Sequence, residues 1–527
     1  MKKKQGFVQG ALIIAIAGIL VKIIGAVYKI PLRKYILGAD GIGIYTAAYT
    51  IYNVLFVVAT AGIPVAISKM VAETTAINNY RETKKIYSVA KWLLVSIGLV
   101  GSGLMFFGAE AFAAYIKAEP SVYAIKALSP SLFLVCVMSI YRGFNQGLGN
   151  MFPTAVSEII EAMGKLVLGL GLAALMLPQG KNFSAAGAIL GVSTGTFIGA
   201  VYLSFYNIKN KKEFKTLIKD SKETQVKSTK EILKRLLQLA VPITLGSTVF
   251  TMATLIDLSM IMRQLASIGF DEATRISMYG YYAGDAVTMF NMPNVVITGM
   301  SVSVVPAIAS AIALGNKREA KSTAAIALRL TFIFAVPCAV GMSVLSQPIL
   351  NMLMGDTGAT KLLEILSYGI IFLSLVMVSN SILQSIGKVW VPIIHMLVGA
   401  VVKILVNYIL VGNPSINIMG APIGTVLCYL VTASLNIISI KKYLKPSLGA
   451  GSVVKICVSA AVMGVFAGGA YNFINDITDY KIALFVSIAL AVVIYFGGLL
   501  LLKAIRKEDV DFMPGAEKIN KIIGRYL

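Results

Sequence analysis

Long apolar runs constrain this chain more than any other feature of its sequence. A bilayer core about 30 Å thick is crossed by roughly 20 apolar residues of α-helix. Because hydrocarbon offers no partners to the backbone, runs of this length must satisfy their own peptide groups and so form helices. The pattern therefore predicts an all-α integral membrane protein with 14 transmembrane helices, in the runs 7–32, 42–67, 89–115, 124–147, 154–178, 185–207, 236–264, 279–312, 324–350, 362–385, 391–411, 420–440, 452–472 and 482–503.

The basic residues indicate how these helices are oriented. The chain carries 47 Lys and Arg against 24 Asp and Glu, a net charge of +23. If the N-terminus is cytoplasmic, 31 of the 47 fall in cytoplasmic segments and 9 on the opposite side. This bias predicts a multi-pass plasma-membrane protein with both termini in the cytoplasm. The excess charge is thus explained by topology, and we expect no nucleic-acid partner.

Metal and disulfide chemistry find little support in the sequence. The four cysteines all lie inside apolar runs without metal-ligand spacing, and His395 is the only histidine. We therefore expect no disulfide framework, no metal site and no cofactor, apart from a possible coupling Na⁺ or H⁺. The short outer loops leave little room for an extracellular catalytic domain, so we expect a monomeric transporter rather than an enzyme.

An internal repeat predicts the domain organisation. GKLVLGL at 164–170 matches VKILVNY at 402–408, and GAILG at 187–191 matches GAPIG at 420–424. The offset spans six helices, so the two halves have the same orientation and form two six-helix lobes related by a pseudo-two-fold axis along the membrane normal. The predicted order is an N-lobe, a basic interlobe linker, a C-lobe, two further helices and a cytoplasmic tail, over residues 1–207, 208–235, 236–440, 452–503 and 504–527.

Several stretches resemble one known family. VKIIGAVYKIPLRKYILGADGIGIY (21–45), YRGFNQGLGNMFPTAVSEIIE (141–161) and IDLSMIMRQLASIGF (256–270) are similar to the stage V sporulation B and MurJ-like branch of the MOP flippase superfamily. The resemblance implies a MATE-like fold, a cationic cavity, and flipping of an undecaprenyl-pyrophosphate-linked sugar, typically lipid II, from the inner to the outer leaflet by alternating access. Where the family has arginines in its first helix, this chain has Lys22 and Lys29.

Other functions stay open at this point. The nearest alternative is a MATE-type exporter of drugs or cations, or an exporter of another polysaccharide precursor, and a drug exporter would favour an aromatic or acidic pocket. A glycosyltransferase acting on a polyprenyl-linked sugar is a weaker alternative, because it usually needs a sizeable outer loop with acidic residues.

Five basic residues are the candidates for binding a pyrophosphate. Lys22, Lys29 and Arg33 share one face of the first run when it is drawn as an α-helix, and Lys22 lies about 22 Å along it. A charge at that depth costs roughly 2.5–3.5 kcal/mol on insertion scales, so it calls for a polar partner. Arg142 and Lys165 complete the set. The alternative for Arg33 is that its side chain extends to the outer interface.

The remaining candidates are polar residues within or beside the apolar runs. Glu161 and Lys165 have the favourable i, i+4 spacing of a structural ion pair. Arg329 lies near a cytoplasmic helix end, where we expect it to reach the interface. Intramembrane carboxylates are candidates for binding a coupling ion or balancing charge. These candidates are the carboxylates of Asp257, Asp285 and Glu161, together with the amides of Asn291 and Asn294 beside Pro293, where a broken helix would expose carbonyls. Arg263 and Lys403 are the partners of a gate or lobe ion pair.

Overall fold

The computed structural model describes residues 7–219, 221, 225–445, 450–505 and 509. Within these ranges the chain is helical and contains no β-strand. Among the described residues, eleven helical stretches are long and apolar enough to cross a membrane. The prediction of an all-α, multi-span membrane protein is therefore confirmed, while the number 14 stays a prediction.

By its internal contacts the chain divides into two compact units, residues 1–280 and 281–527. The first unit consists of α1 (Phe7–Pro31), α2 (Gly38–Thr60), α3 (Ile63–Ala76), α4 (Tyr80–Phe107), α5 (Ala109–Tyr115), α6 (Val122–Gly147), α7 (Phe152–Met176), α8 (Lys181–Lys209), α9 (Lys211–Lys219), α10 (Thr229–Ser267) and α11 (Glu272–Tyr279). A π-helical segment, Leu32–Leu37, joins α1 to α2.

The second unit begins within another π-helical segment, Gly280–Ala286. It contains α12 (Val287–Asn291), α13 (Asn294–Ala313), α14 (Lys317–Val344), α15 (Ser346–Met354), α16 (Thr360–Ser385), α17 (Trp390–Val411), α18 (Gly420–Tyr443), α19 (Ala450–Asn475) and α20 (Tyr480–Leu501).

The helices coincide with the predicted runs, with two differences in how they join. Residues 16–76 form one nearly continuous helical stretch that covers the first two runs. The seventh run lies in α10, a helix of 39 residues that packs on α2 and α3 within the first unit. The sequence repeat instead groups this run with the second lobe, so repeat and packing divide the chain at different points.

Glycine contacts reproduce the internal repeat in both units. In the first unit, a Cβ added at Gly191 of α8 would lie 2.1 Å from the Cα of Gly169 on α7. In the second unit, a Cβ added at Gly424 of α18 would lie 2.0 Å from the Oδ1 of Asn407 on α17. Gly169 and Asn407 occupy matching positions of the repeat, as do Gly191 and Gly424. Such close approach is typical of small residues between membrane helices.

The part of the basic linker that the structure describes is folded against the first unit. On α9, the ring of Phe214 meets those of Tyr80 and Phe144 edge-on, with centroids 6.4 and 5.3 Å apart. Further on, the Nδ2 of Asn79 donates to the carbonyl of Gln225 at 2.8 Å. Ser228 caps α10, and its backbone N–H holds the pKa of the Glu231 carboxyl below its usual value.

The prediction that Arg329 extends to the membrane interface is wrong. Its side chain is buried within the second unit, where Nε lies 2.7 and 2.8 Å from the two carboxylate oxygens of Asp509. Around this pair, α14 packs with α19 and with Ala504 and Ile505, which follow α20. No local pattern indicates this contact, because the two partners are 180 residues apart.

Replacing one member of this pair tests its contribution to stability. Arg329→Met leaves the buried Asp509 carboxylate without its partner, which typically costs about 3–5 kcal/mol of unfolding free energy. Thermal unfolding of the detergent-solubilised protein measures the loss. The double variant Arg329→Met, Asp509→Leu replaces the pair by apolar groups and should recover most of the lost unfolding free energy. A double variant as unstable as the single one would contradict this interpretation.

Candidate functional site

The basic residues of the first helix lie in three different environments. Lys22 is exposed on α1, amid the exposed apolar side chains of Ile19 and Ile23, whereas Lys29 is half-buried. Arg33 is only 3% exposed. It lies beyond Pro31, in the π-helical segment, where the rotation per residue differs from that of an α-helix. The shared face that an α-helical wheel predicts for Lys22, Lys29 and Arg33 therefore does not include Arg33. Pro31 was the sequence signal that the regular α-helix ends before Arg33.

Arg142 and Glu161 form a polar contact inside the first unit. An Nη of Arg142 on α6 lies 3.1 Å from a carboxylate oxygen of Glu161 on α7, and its Nε donates to Ser157 at 3.0 Å. The other Glu161 oxygen accepts from Thr196 of α8 at 3.2 Å. Three helices thus meet at one carboxylate. Glu161 pairs with Arg142 rather than with Lys165, so the predicted i, i+4 ion pair is wrong.

Lys165 instead lies among tyrosine rings. Its ammonium nitrogen is 4.9 Å from the ring centroid of Tyr28 on α1, and 5.1 and 5.9 Å from those of Tyr49 and Tyr45 on α2. These distances are within the range of cation–π attraction. We call Tyr28, Tyr45 and Tyr49 the tyrosine cage. The Tyr28 hydroxyl donates to the carbonyl of Ala188 at 3.1 Å, which holds the Tyr28 ring in place. Sequence reasoning missed the three tyrosines, although the recurrence of Tyr45, Tyr49 and Tyr52 along α2 was visible.

Polar contacts hold both ends of the α2–α3 stretch within the first unit. At the start of α2, the Asp40 carboxylate accepts from the ammonium of Lys181 on α8 at 2.8 Å and from the hydroxyl of Ser277 on α11. On α3, the Glu73 carboxylate accepts from Arg235 of α10 at 2.7 Å. The sequence LGADGIG around Asp40 is typical of a turn. The structure gives it two side-chain partners, because α8 and α11 both approach the start of α2.

The acidic candidates are distributed over both units. Asp257 of α10 is buried in the first unit, where Arg263 donates to the carbonyl of Tyr115 at 3.1 Å. In the second unit, Asp285 is buried in the π-helical segment, and Lys403 is half-buried on α17. Among the described residues, no three His, Cys, Asp or Glu side chains are grouped as metal ligands would be.

The amide candidates follow Asp285. Asn291 ends α12, and its Nδ2 donates to the carbonyl of Val287 at 2.8 Å. Asn294 begins α13 after Pro293 and is buried. The predicted break in this span is therefore present, with a polar side chain on each side of it.

Comparisons with known proteins agree with this architecture. The family model described as polysaccharide biosynthesis protein matches residues 7–312, and the MatE model matches 278–409. Stage V sporulation protein B of Bacillus subtilis (strain 168) is 25% identical, with 99% of each chain covered. Lipid II flippase MurJ of the same organism is also 25% identical, with 91% of this chain and 89% of that protein covered.

Solved structures show the same fold. A structure of lipid II flippase MurJ in an inward closed conformation matches with a TM-score of 0.68 and 15% identity, covering 93% of this chain and 98% of that one. An inward-facing multidrug resistance MATE family transporter of the MOP superfamily matches with a TM-score of 0.66 and 14% identity, covering 81% and 94%. These relatives carry the names of flippases and transporters rather than enzymes, as predicted.

The contact between Arg142 and Glu161 can be tested against an exposed ion pair in the same unit. Arg142→Met leaves a half-buried carboxylate short of a donor, which should lower the unfolding free energy by about 1–3 kcal/mol. A double-mutant cycle with Glu161→Gln isolates the pairwise contribution by thermal unfolding.

The matched control is a substitution of Lys126, whose ammonium nitrogen lies 2.9 Å from a carboxylate oxygen of Glu110 at the surface. Because exposed pairs contribute little, Lys126→Met should leave stability unchanged. Equal losses for the two variants would show that the Arg142–Glu161 contact has no special structural role.

Proposed function

Since the chain belongs to the polysaccharide biosynthesis protein family of the MOP superfamily, we propose that it flips an undecaprenyl-pyrophosphate-linked oligosaccharide across the plasma membrane. The favoured substrate is the peptidoglycan precursor lipid II, moved from the inner to the outer leaflet. Relatives of similar identity carry the names of a lipid II flippase and of a stage V sporulation protein, which supports this substrate class.

The position of Lys22 is the observation that carries the proposal. This lysine lies well inside the first span, on an exposed side of α1, and has no ion pair or hydrogen bond with the described residues of the first unit. An ammonium in apolar surroundings is costly, and a diphosphate passing along α1 would supply the opposite charge. Lysine binds phosphate as a compact point charge, which accommodates a substrate that moves past it.

The other basic residues fall into two groups. Lys29 follows Lys22 two turns along the same helix and is the second candidate for contact with the diphosphate. Arg142 and Lys165 already contact Glu161 and the tyrosine cage inside the first unit. We therefore assign them to holding α1, α2, α6 and α7 together, and Lys22 to the substrate.

Movement of the substrate is assigned to alternating access. The contacts of Asp40 with Lys181 and Ser277, and of Glu73 with Arg235, hold the two ends of the α2–α3 stretch within the first unit. Ion pairs of this kind form and break at modest cost in partly hydrated surroundings. We infer that breaking one pair and keeping the other opens one side of the membrane at a time.

A MATE-type exporter is the second candidate function. The MatE model matches residues 278–409, and the aromatic cluster of Tyr28, Tyr45 and Tyr49 is a feature that an organic cation could bind. In this chain, however, the rings already surround Lys165. A cationic drug would also be repelled by Lys22, so we rank this function below flipping.

Substitution of Lys22 tests the proposal directly. In proteoliposomes containing lipid II, Lys22→Ala should lower the translocation rate about tenfold to a hundredfold, because one charge-assisted contact to the diphosphate is lost. Lys22→Arg keeps the charge and should retain most of the activity. Lys126→Ala, which removes a surface lysine of the same unit, is the matched control.

Complementation of a bacterial strain depleted of its lipid II flippase identifies the substrate. Growth with the wild-type chain, and its loss with Lys22→Ala, is the expected result. Undiminished lipid II translocation by a well-folded Lys22→Ala protein would overturn the assignment of this residue. Export of organic cations without any lipid II movement would favour the MATE-type function.

A further inference from the structure

An apolar groove lies on the surface of the first unit, between α2 and α4. Its volume is about 370 Å³, which is within the range of roughly 300–1,000 Å³ that is usual for ligand pockets. Leu55 and Val58 of α2 line one side of the groove, and Val100 and Leu104 of α4 line the other. The buried side chain of Leu132 on α6 forms its base. Val58, Val100 and Leu104 are exposed, so the groove opens at the surface of the unit.

The groove lies at the depth of the bilayer core. Its walls belong to helical stretches that are long and apolar enough to cross a membrane. Beside the groove, the exposed side of α4 carries Leu99 and Phe107, which are also apolar. Polar side chains within spans face the bundle interior or a water-filled cavity, so a side as apolar as this one faces lipid. The molecule that fills the groove is therefore a hydrocarbon chain.

A row of exposed side chains leads from the groove to the basic end of α4. Residues four positions apart on an α-helix form a continuous ridge. On α4 the exposed members of one such ridge are Lys84, Ser88, Trp92, Ser96, Val100 and Leu104. The last three line the groove, and Trp92 lies one turn before them. Because tryptophan is enriched at the level of the lipid headgroups, the ridge runs from the bilayer core to its interface.

The basic end of this ridge carries positive charge that the protein does not balance. Lys84 and Lys91 are exposed, and neither has an ion pair or hydrogen bond with the described residues. Glu82 is the only acidic residue of α4, and it is buried with a carboxylate oxygen 3.6 Å from the ammonium nitrogen of Lys227. Spacings of three and four place Ser88 between the two lysines on one side of the helix. Two ammonium groups and a hydroxyl are donors that suit a phosphate.

We propose that this side of the first unit binds one anionic phospholipid, with its phosphate at Lys84, Ser88 and Lys91 and an acyl chain in the groove between α2 and α4. The distances fit a lipid of one leaflet. Ser88 and Val100 are twelve residues apart, which is about 18 Å along the helix, and one leaflet contributes about 15 Å of hydrocarbon. A groove that extends only from Ser96 to Leu104 is short for the much longer undecaprenyl chain.

The inference goes beyond the proposed function and does not rest on it, because the binding is measured without any polyprenyl-linked sugar. Val58 and Ala59 line the groove within one turn of the end of α2 at Thr60. A lipid in the groove therefore contacts α2 close to its junction with α3.

Quenching of tryptophan fluorescence measures binding at this site. The chain contains two tryptophans, Trp92 and Trp390, so Trp390→Phe in the full-length protein leaves Trp92 as the only reporter. Phosphatidylglycerol with brominated acyl chains, added to phosphatidylcholine vesicles, quenches Trp92 when it binds beside it. A lysine near an anionic headgroup contributes roughly fivefold in affinity. We expect brominated phosphatidylglycerol to bind about twentyfold more tightly than brominated phosphatidylcholine, and Lys84→Gln and Lys91→Gln each to lower this preference about fivefold.

Two matched controls separate this site from general surface effects. Lys126→Gln removes a lysine elsewhere on the same unit and should leave the preference unchanged. Val100→Phe fills the groove and should weaken the binding of both lipids at least about fivefold, the loss of one to two buried methylene groups of chain. Leu99→Phe enlarges an exposed neighbour that does not line the groove and should bind as the parent does.

Three results would overturn the inference. The first is equal quenching of the folded Trp390→Phe protein by the two brominated lipids. The second is the same loss of preference in Lys126→Gln as in Lys91→Gln. The third is displacement of phosphatidylglycerol by an equimolar amount of undecaprenyl phosphate, which would assign the groove to the chain of a polyprenyl lipid.

Discussion

Charge buried in apolar surroundings is the constraint on which much of this structure depends. Hydrocarbon cannot solvate an ammonium, a guanidinium or a carboxylate, so each such group inside a span needs a partner or a polar environment. Arg142 has Glu161, Lys165 has three tyrosine rings, and Arg329 has Asp509. The first two bring helices together, and the third joins α14 to the segment that follows α20. The intramembrane charges therefore fix helix packing before they serve any substrate.

Against this background, Lys22 differs from the other intramembrane cations of the first unit. Arg142 and Lys165 are engaged by neighbouring helices, whereas Lys22 is exposed on α1. A cation whose desolvation is not offset by the protein fold is stabilised by whatever anion reaches it. This difference, rather than the overall charge of +23, is the physical basis for the diphosphate substrate that we propose.

Much of the architecture could be predicted from the sequence because it follows from local patterns. Apolar runs predict helices, and the matching GAILG and GAPIG segments of the repeat both make close glycine contacts in the structure. The site was harder to predict. The helical wheel failed at Arg33, because a π-helical segment follows Pro31. The pair of Glu161 and Lys165 was wrong, because the tertiary partner Arg142 outcompetes an i, i+4 neighbour.

The pair of Arg329 and Asp509 also has a consequence for how the chain is made. The two residues are 180 positions apart, and Asp509 follows α20, the last helix in the part of the chain that the structure describes. At synthesis rates of about 5–20 residues per second, Arg329 leaves the ribosome roughly ten to forty seconds before its partner does. During that interval α14 carries an uncompensated guanidinium, so it cannot settle against α19 and α20 in its final form. Completion of the second unit therefore waits until residue 509 has been synthesised.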